Sequence, residues 1–282
     1  PVAALDLIGR ERITITNLIP VMLNLMLAHP RAAEIDAASL RLLLTGGAPI
    51  APSLVRRTAE TFRCGYAQTY GMTETSPYLT MSLLNARQQC LGEEDRLRLM
   101  ARTGRPFGGV ELRVVDEAGR EVPRDDLAVG EIEVRGPTVT PGYWNRPKET
   151  AAAFRDGWLR TGDLARVDGE GFVEIVDRKK DMILTGGENV YSIEVENVLY
   201  RHPDVLEAAV AAAPDPVWGE VVRAFVVPRP GARLDAEELR AFCRASLAAY
   251  KVPRIVTFLD ALPRTGSGKV DKRALRGMPV KG

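Results

Sequence analysis

Residues 42–71 read LLLTGGAPIAPSLVRRTAETFRCGYAQTYG. The apolar run Leu42-Leu43-Leu44 stops at Gly46-Gly47, the pattern of a buried strand that ends in a glycine turn. Residues 53–62 read as a helix, and Tyr66-Ala67-Gln68-Thr69-Tyr70 as a second short strand ending at Gly71. Strand, helix and strand in that order imply an α/β layer. Upstream, Val21, Leu25 and Leu27 recur at helical spacing until His29-Pro30 closes the segment.

Downstream the period changes. From about Gly108, Val110, Leu112 and Val114 alternate with Glu111 and Arg113, and Ile132 and Val134 alternate with Glu131, Glu133 and Arg135, which predicts half-buried strands. Asp168-Gly169-Glu170-Gly171 places a turn between two strand-like stretches and predicts a hairpin. The charged string Asp177-Arg178-Lys179-Lys180-Asp181 then reads as a linker. Beyond it lies a small α+β domain of about a hundred residues. Ser192 precedes Val195, Val198 and Leu199 at helical spacing, residues 221–227 read as a strand, and Asp235 with Glu238 makes a capping-box pattern ahead of Leu239 and Phe242.

With 282 residues, 45% of them hydrophobic, the chain has material for a sizeable core and for two domains. Lys and Arg number 38 against 37 Asp and Glu, so no global field draws nucleic acid, and nucleic acid is not an expected partner. Cys64, Cys90 and Cys243 are odd in number and form no C-x-x-C, which argues against a disulfide framework or a zinc site and for a cytoplasmic setting. Two histidines, His29 and His202, leave little material for a histidine-based triad or metal site. No apolar run is long enough for a transmembrane segment, and Pro1-Val2-Ala3-Ala4-Leu5-Asp6 has neither a basic n-region nor an initiator Met. The chain is therefore expected to begin inside a longer protein.

Four loops carry the glycines and hydroxyls that let a backbone approach a ligand: residues 45–49, 69–75, 185–189 and 263–269. Tight turns use the same residues, so one such loop alone decides nothing. The last of them departs from a nucleotide P-loop, with Pro263 where that motif needs Gly and Val270 where it needs Ser or Thr. Lys269 is either a mobile cation for a phosphate or carboxylate, or a surface lysine in a flexible turn.

The strings YGMTE (70–74), TGD (161–163), DRKKD (177–181), GGENVYS (186–192) and PRTGSGK (263–269) resemble, in the same order, the signatures of the adenylate-forming superfamily. That superfamily holds acyl-CoA synthetases, firefly-type luciferases and the adenylation domains of nonribosomal peptide synthetases. The resemblance runs over essentially the whole chain. GGENVYS followed by Ile193-Glu194-Val195-Glu196, and later Trp218-Gly219-Glu220, is most similar to the fatty-acid and aryl-acid CoA ligases.

The resemblance implies a reaction in two halves. A carboxylate attacks the α-phosphorus of ATP to give an acyl-adenylate and pyrophosphate, and the thiolate of CoA then attacks the acyl carbon and expels AMP. It places Tyr70 against adenine and Gly71 among the ATP/AMP-binding residues, with Gly47, Ala48 and Pro49 lining the nucleotide and acyl pocket. Thr73 would offer a hydroxyl to the α-phosphate, and Glu74 a carboxylate to Mg²⁺. Asp163 would accept the ribose hydroxyls, and Arg178 would donate to the same sugar. Lys269 would bridge the carboxylate and α-phosphate and neutralise two anions brought together. Lys180 falls at the family's hinge, about which the small domain turns to replace Lys269 by the Gly186-Gly187-Glu188 loop. Trp218 would contact the CoA nucleotide. Each has a plainer reading: Tyr70 and Trp218 as core aromatics, Glu74 as a solvated turn residue, Asp163 as a turn residue beside Gly162, and residues 178–180 as a solvated charge run.

The expected fold is α/β. Residues 1–176 would be the end of a large N-terminal AMP-binding domain with a β-rich subdomain, 177–181 a hinge, and 182–282 a small, mobile α+β lid. The family's Ser/Thr/Gly-rich phosphate loop and its aromatic-His segment lie upstream of the stretch matched, so the N-terminal half of the same enzyme is an expected partner. The expected activity is ATP-dependent conversion of a carboxylic acid, a medium- or long-chain fatty acid, to its CoA thioester, with ATP, Mg²⁺ and CoA and no tightly bound cofactor. The alternatives are an adenylation domain that loads a carrier protein's phosphopantetheine and a non-catalytic, truncated binding module.

Overall fold

In the computed structural model, which describes residues 1–266 and 268–280, a five-stranded sheet organises the beginning of the chain. Helix α1 (Val2–Arg10) leads into β1 (Ile15–Leu18), α2 (Pro20–Ala28) into β2 (Leu42–Gly46), and α3 (Pro52–Phe62) into β3 (Gly65–Gly71). The three strands run parallel, with Leu43 opposite both Thr16 and Tyr66, as alternating helices and strands dictate. Pro52 opens α3 in its first turn, where a proline is well tolerated, and Val55, Thr58 and Phe62 form its buried stripe. β4 (Tyr78–Met81) returns antiparallel to β3. After α4 (Ala86–Gln89) and α5 (Glu93–Ala101), the short β5 (Arg105–Pro106) completes the order β1-β2-β3-β4-β5.

Helix α2 forms where its spacing predicted, but it buries another face. Leu23 and Met26 are fully buried, whereas Val21 and Leu25 are 49% and 52% exposed. The helix is apolar nearly all round, so periodicity alone selects no face.

A second sheet follows. β6 (Glu111–Val115) pairs antiparallel with β7 (Gly130–Arg135). Then come α6 (Pro147–Ala153), β8 (Phe154–Arg155), β9 (Trp158–Val167) and β10 (Val173–Arg178), giving the order β10-β9-β7-β6 with β8 beside β9. The predicted hairpin joins β9 to β10, and the Asp168 carboxylate accepts the N–H groups of Glu170 and Phe172 to set its turn. The strand at β7 is not half-buried as expected, because Glu133 is fully buried and Glu131 nearly so. Arginines cover that face: Arg113 and Arg155 lie 2.8 and 2.6 Å from Glu133, and Arg160 lies 2.8 Å from Glu131. A buried carboxylate is tolerated only with such partners.

The chain divides into two compact units, Pro1–Ile175 and Val176–Gly282, with the boundary inside β10. In the second unit β11 (Ile183–Thr185) and β12 (Glu188–Val190) form a hairpin ahead of α7 (Ser192–Leu199). The long antiparallel pair β13 (Val205–Asp215) and β14 (Gly219–Pro228) follows, then α8 (Ala236–Arg244), β15 (Ile255–Phe258) and α9 (Lys272–Arg276). Strand order is β12-β11-β14-β13, with β15 parallel to β14. Val195 and Leu199 of α7 and Leu239 of α8 pack on Val210 and Val222 of the sheet. Asp235 caps α8 through the N–H groups of Glu237 and Glu238, while the Glu238 carboxylate lies 3.8 Å from Nε2 of His202. Ser192 does not cap α7. It is the first helical residue, and its N–H and hydroxyl both go to the carboxylate of Asp177, fifteen residues upstream.

Candidate functional site

In the first unit the loop after β2, residues 47–49, is anchored from below. Buried Thr45 bonds to the Tyr66 hydroxyl and to Gln68, and Gln68 Nε2 donates to the Ala48 carbonyl at 2.7 Å. Burial pushes the Tyr66 phenol well above its ordinary pKa, so it stays a neutral hydrogen-bonding group. The bond to Ala48 tethers the loop of residues 47–49 at the carboxyl end of β2, where open parallel sheets bind their ligands.

Tyr70 stands at the end of β3, and its hydroxyl donates to Asp163 Oδ2 at 2.7 Å. Asp163 lies on β9 and is almost fully buried. Its N–H donates to Thr161 Oγ1 at 3.2 Å, and the Thr161 hydroxyl donates to the Ile132 carbonyl at 3.0 Å. The two sheets are thus joined at the residues the motifs singled out. At Gly71 a Cβ would overlap the Pro77 carbonyl, so the chain turns there only without a side chain.

Thr73 and Glu74 lie in a 3₁₀ turn, Thr73–Thr75. The Tyr143 hydroxyl donates to Glu74 Oε1 at 3.0 Å, and the Thr140 N–H donates to the Glu74 carbonyl at 2.7 Å. Burial and the neighbouring carboxylate both raise the Tyr143 pKa, which keeps it a donor. Sequence reading singled out neither Tyr143 nor Thr140. The only signal was an aromatic pair, Tyr143-Trp144, in a Pro/Gly loop, and ordinary turns carry the same composition.

In the second unit Arg178 ends β10, and Lys180 lies in the turn that follows. Gly186 and Gly187 make the β11–β12 turn, and Glu188 pairs with Thr185. The Gly186 N–H donates to the Trp218 carbonyl at 3.0 Å, and a Cβ on Gly186 would come within 2.6 Å of the Trp218 ring. The Arg254 guanidinium, which sequence reading missed, lies 4.6 Å from the centre of that ring. Gly186 therefore packs against Trp218, with Gly187 and Glu188 next to it in the same turn. Exposed Lys269 ends a small hairpin in which Arg264 and Val270 bridge and the Thr265 N–H donates to the Lys269 carbonyl at 2.8 Å. Ser267, within the same motif, lies outside the described residues.

Among the described residues no cluster of three or more His, Cys, Asp or Glu could cage a metal ion. A magnesium ion shared with phosphates needs few protein ligands, and Glu74, held by Tyr143, fits that part. A carboxylate has about four acceptor sites, so the bond from Tyr70 to Asp163 is compatible with accepting sugar hydroxyls as well. No helix among the described residues is long and apolar enough to cross a membrane.

Comparison with known proteins places the chain in a family. The AMP-binding enzyme model matches residues 1–144, and the AMP-binding enzyme C-terminal domain model matches residues 194–269. A feruloyl-CoA synthase from Amycolatopsis sp is 44% identical over 276 residues, 98% of this chain and 54% of that protein. A long-chain-fatty-acid–CoA ligase from Thermus thermophilus is 41% identical over 278 residues, 98% of this chain and 51% of that protein. An amide bond synthetase from Marinactinospora thermotolerans superposes with a TM-score of 0.86 at 40% identity, covering 98% of this chain and 55% of that one. The chain spans about half the length of the curated relatives it matches.

Proposed function

The chain belongs to the AMP-binding enzyme family, within the adenylate-forming superfamily, and from that premise we propose that the whole protein activates a carboxylic acid with ATP and transfers the acyl group to CoA. The observation that carries the proposal is the Tyr70–Asp163 hydrogen bond. It joins two of the five motifs, 93 residues apart, in one buried contact.

In this reading Tyr70 faces adenine, Gly71 binds the nucleotide beside it, Gly47, Ala48 and Pro49 border the acyl and nucleotide pocket, and Asp163 and Arg178 hold the ribose. Thr73 donates to the α-phosphate. Glu74 holds Mg²⁺, which neutralises phosphate charge. Lys269 lies between the attacking carboxylate and the α-phosphorus, where a cation lowers the cost of bringing two anions together. Residues 1–176 then act as part of the nucleotide-binding domain, 177–181 as the hinge and 182–282 as the lid, of which Lys281 and Gly282 lie outside the described residues. Turning at Lys180 removes Lys269 and brings in the loop of Gly186, Gly187 and Glu188 with Trp218 for the thiol step. The grip on the β- and γ-phosphates falls to a segment of the whole protein outside this stretch.

The acid we propose is apolar, a medium- or long-chain fatty acid, which the Thermus thermophilus relative supports. The feruloyl-CoA synthase favours an aryl acid as the second reading. A cytoplasmic setting, read from three unclustered cysteines, belongs to the same proposal. The test is acyl-CoA formation by the full-length gene product over a panel of fatty and aryl acids, followed by mass spectrometry. Thioester from an apolar acid with release of AMP supports the reading. AMP release with acyl transfer only to amines or to a carrier protein would replace CoA as the acceptor.

A further inference from the structure

Helix α9 begins three residues after Lys269 and touches the hinge segment at Lys180 and Asp181. Asp271 caps it through the N–H groups of Arg273 and Ala274, at 3.0 and 3.1 Å. Lys272 Nζ donates to Ser192 Oγ at 2.6 Å and lies 2.7 Å from Glu196 Oε1, and the Ser192 hydroxyl donates to Asp177 at 3.0 Å. One turn later Arg276 pairs with the Asp181 carboxylate and donates to the Lys180 carbonyl at 3.1 Å.

These contacts differ in what a rotation does to them. The carbonyl of a residue lies beyond both rotatable bonds of its own backbone, φ and ψ. A rotation at Lys180 therefore carries the Lys180 carbonyl, Asp181, Arg276 and α9 together, whereas Asp177 stays on the other side of the pivot. Arg276 is thus the tie between the downstream edge of the pivot and the helix that continues directly from Lys269. The loop of Gly186 to Glu188 has separate support. Thr185 pairs with Gly219 of β14, and the Leu184 N–H donates to Glu220 Oε2 at 2.9 Å.

We propose that Arg276 is a positioning residue for the adenylation half-reaction, fixing α9 and the Lys269 hairpin against the pivot through Asp181 and the Lys180 carbonyl. The inference rests on the roles of Lys269 and Lys180 proposed above. Because the thiol-step loop is held by β14, loss of this tie separates the two half-reactions.

The experiment uses the full-length gene product as wild type, Arg276→Ala, Asp181→Asn and the double variant. ATP–pyrophosphate exchange reports adenylation, and acyl transfer to CoA from preformed acyl-adenylate reports the second half. Exchange is expected to fall about tenfold in each single variant, since a small misplacement of a charged group is costly, with the double variant no worse than the poorer single. Transfer is expected to stay within about twofold. Should Arg276→Ala lower the melting temperature, Asp181→Asn, nearly isosteric, carries the comparison. Equal loss in both half-reactions, or exchange unchanged in both single variants, overturns the proposal. A wild type inactive in both halves overturns the synthetase reading itself, and the positioning role with it.

Discussion

The Tyr70 hydroxyl and the Asp163 carboxylate, 93 residues apart in sequence, meet in a 2.7 Å hydrogen bond that joins the end of β3 to β9. Removing the donor leaves a buried carboxylate short of a partner. Tyr70→Phe is expected to destabilise the first unit by about 1–3 kcal/mol and to weaken AMP binding about tenfold. Thermal melts and calorimetric titration of AMP measure the two effects; unchanged values for both would remove the bond from any role in the site.

Gly186 sits at φ +59 against the Trp218 ring, so Gly186→Ala meets backbone strain and a ring that must shift. The expected cost is on the order of 1–3 kcal/mol in the second unit. Acyl transfer to CoA should fall more than adenylation, because the alanine disturbs the glycine loop and leaves Lys269 untouched. Half-reaction assays beside a melting curve separate these effects, and a loss confined to adenylation would contradict the assignment.

Glu74 is held by the Tyr143 hydroxyl at 3.0 Å. Losing a partner that orients a metal ligand commonly weakens metal binding about tenfold or more, so Tyr143→Phe should raise the Mg²⁺ concentration needed for ATP–pyrophosphate exchange by about that factor. Glu74→Gln should raise it further. Titration with Mg²⁺, and with Mn²⁺ followed by electron paramagnetic resonance, tests the order of the two variants.

Glu196 is buried beside Lys272, and burial raises its pKa above the ordinary 4.5 although the ammonium pulls the other way. Burial raises the neighbouring Asp177 carboxyl as well, again against Lys272. A raised folded pKa means the folded state binds the proton more tightly. The associated stability is present in full below 4.5 and is lost as pH rises through the raised value. Glu196→Gln should flatten that fall in melting temperature as pH rises above 4.5. A steeper fall in the variant would reverse the sign and place the ion pair, not burial, in control.

Sequence made the α/β core legible where chemistry is local. The leucine run ending at Gly46 became β2, and the Asp168 turn became the β9–β10 hairpin. It failed where the deciding partner is distant or where every face is alike. The face of α2 was hidden because the helix is apolar nearly all round, and buried Glu133 depends on arginines from β6 and β8. The role of Ser192 depends on Asp177, which no capping pattern reaches. In the candidate site, motif order named Tyr70, Asp163, Gly186 and Trp218, and the structure brings each pair together. Tyr143 and Arg254 were missed because a donor in a turn and an arginine beside a proline look ordinary until a carboxylate or an indole is found against them.

Lys269 is proposed to serve the adenylation half-reaction of an acid–thiol ligase. The most direct measurement is Mg²⁺-dependent ATP–pyrophosphate exchange by the full-length wild type and by Lys269→Ala, set beside acyl transfer to CoA from preformed acyl-adenylate. Exchange is expected in the wild type with an apolar acid, with its loss in the variant by a factor of about a hundred or more and transfer largely retained. Equal loss of both halves in the variant, or no exchange by the wild type with any acid, would contradict it.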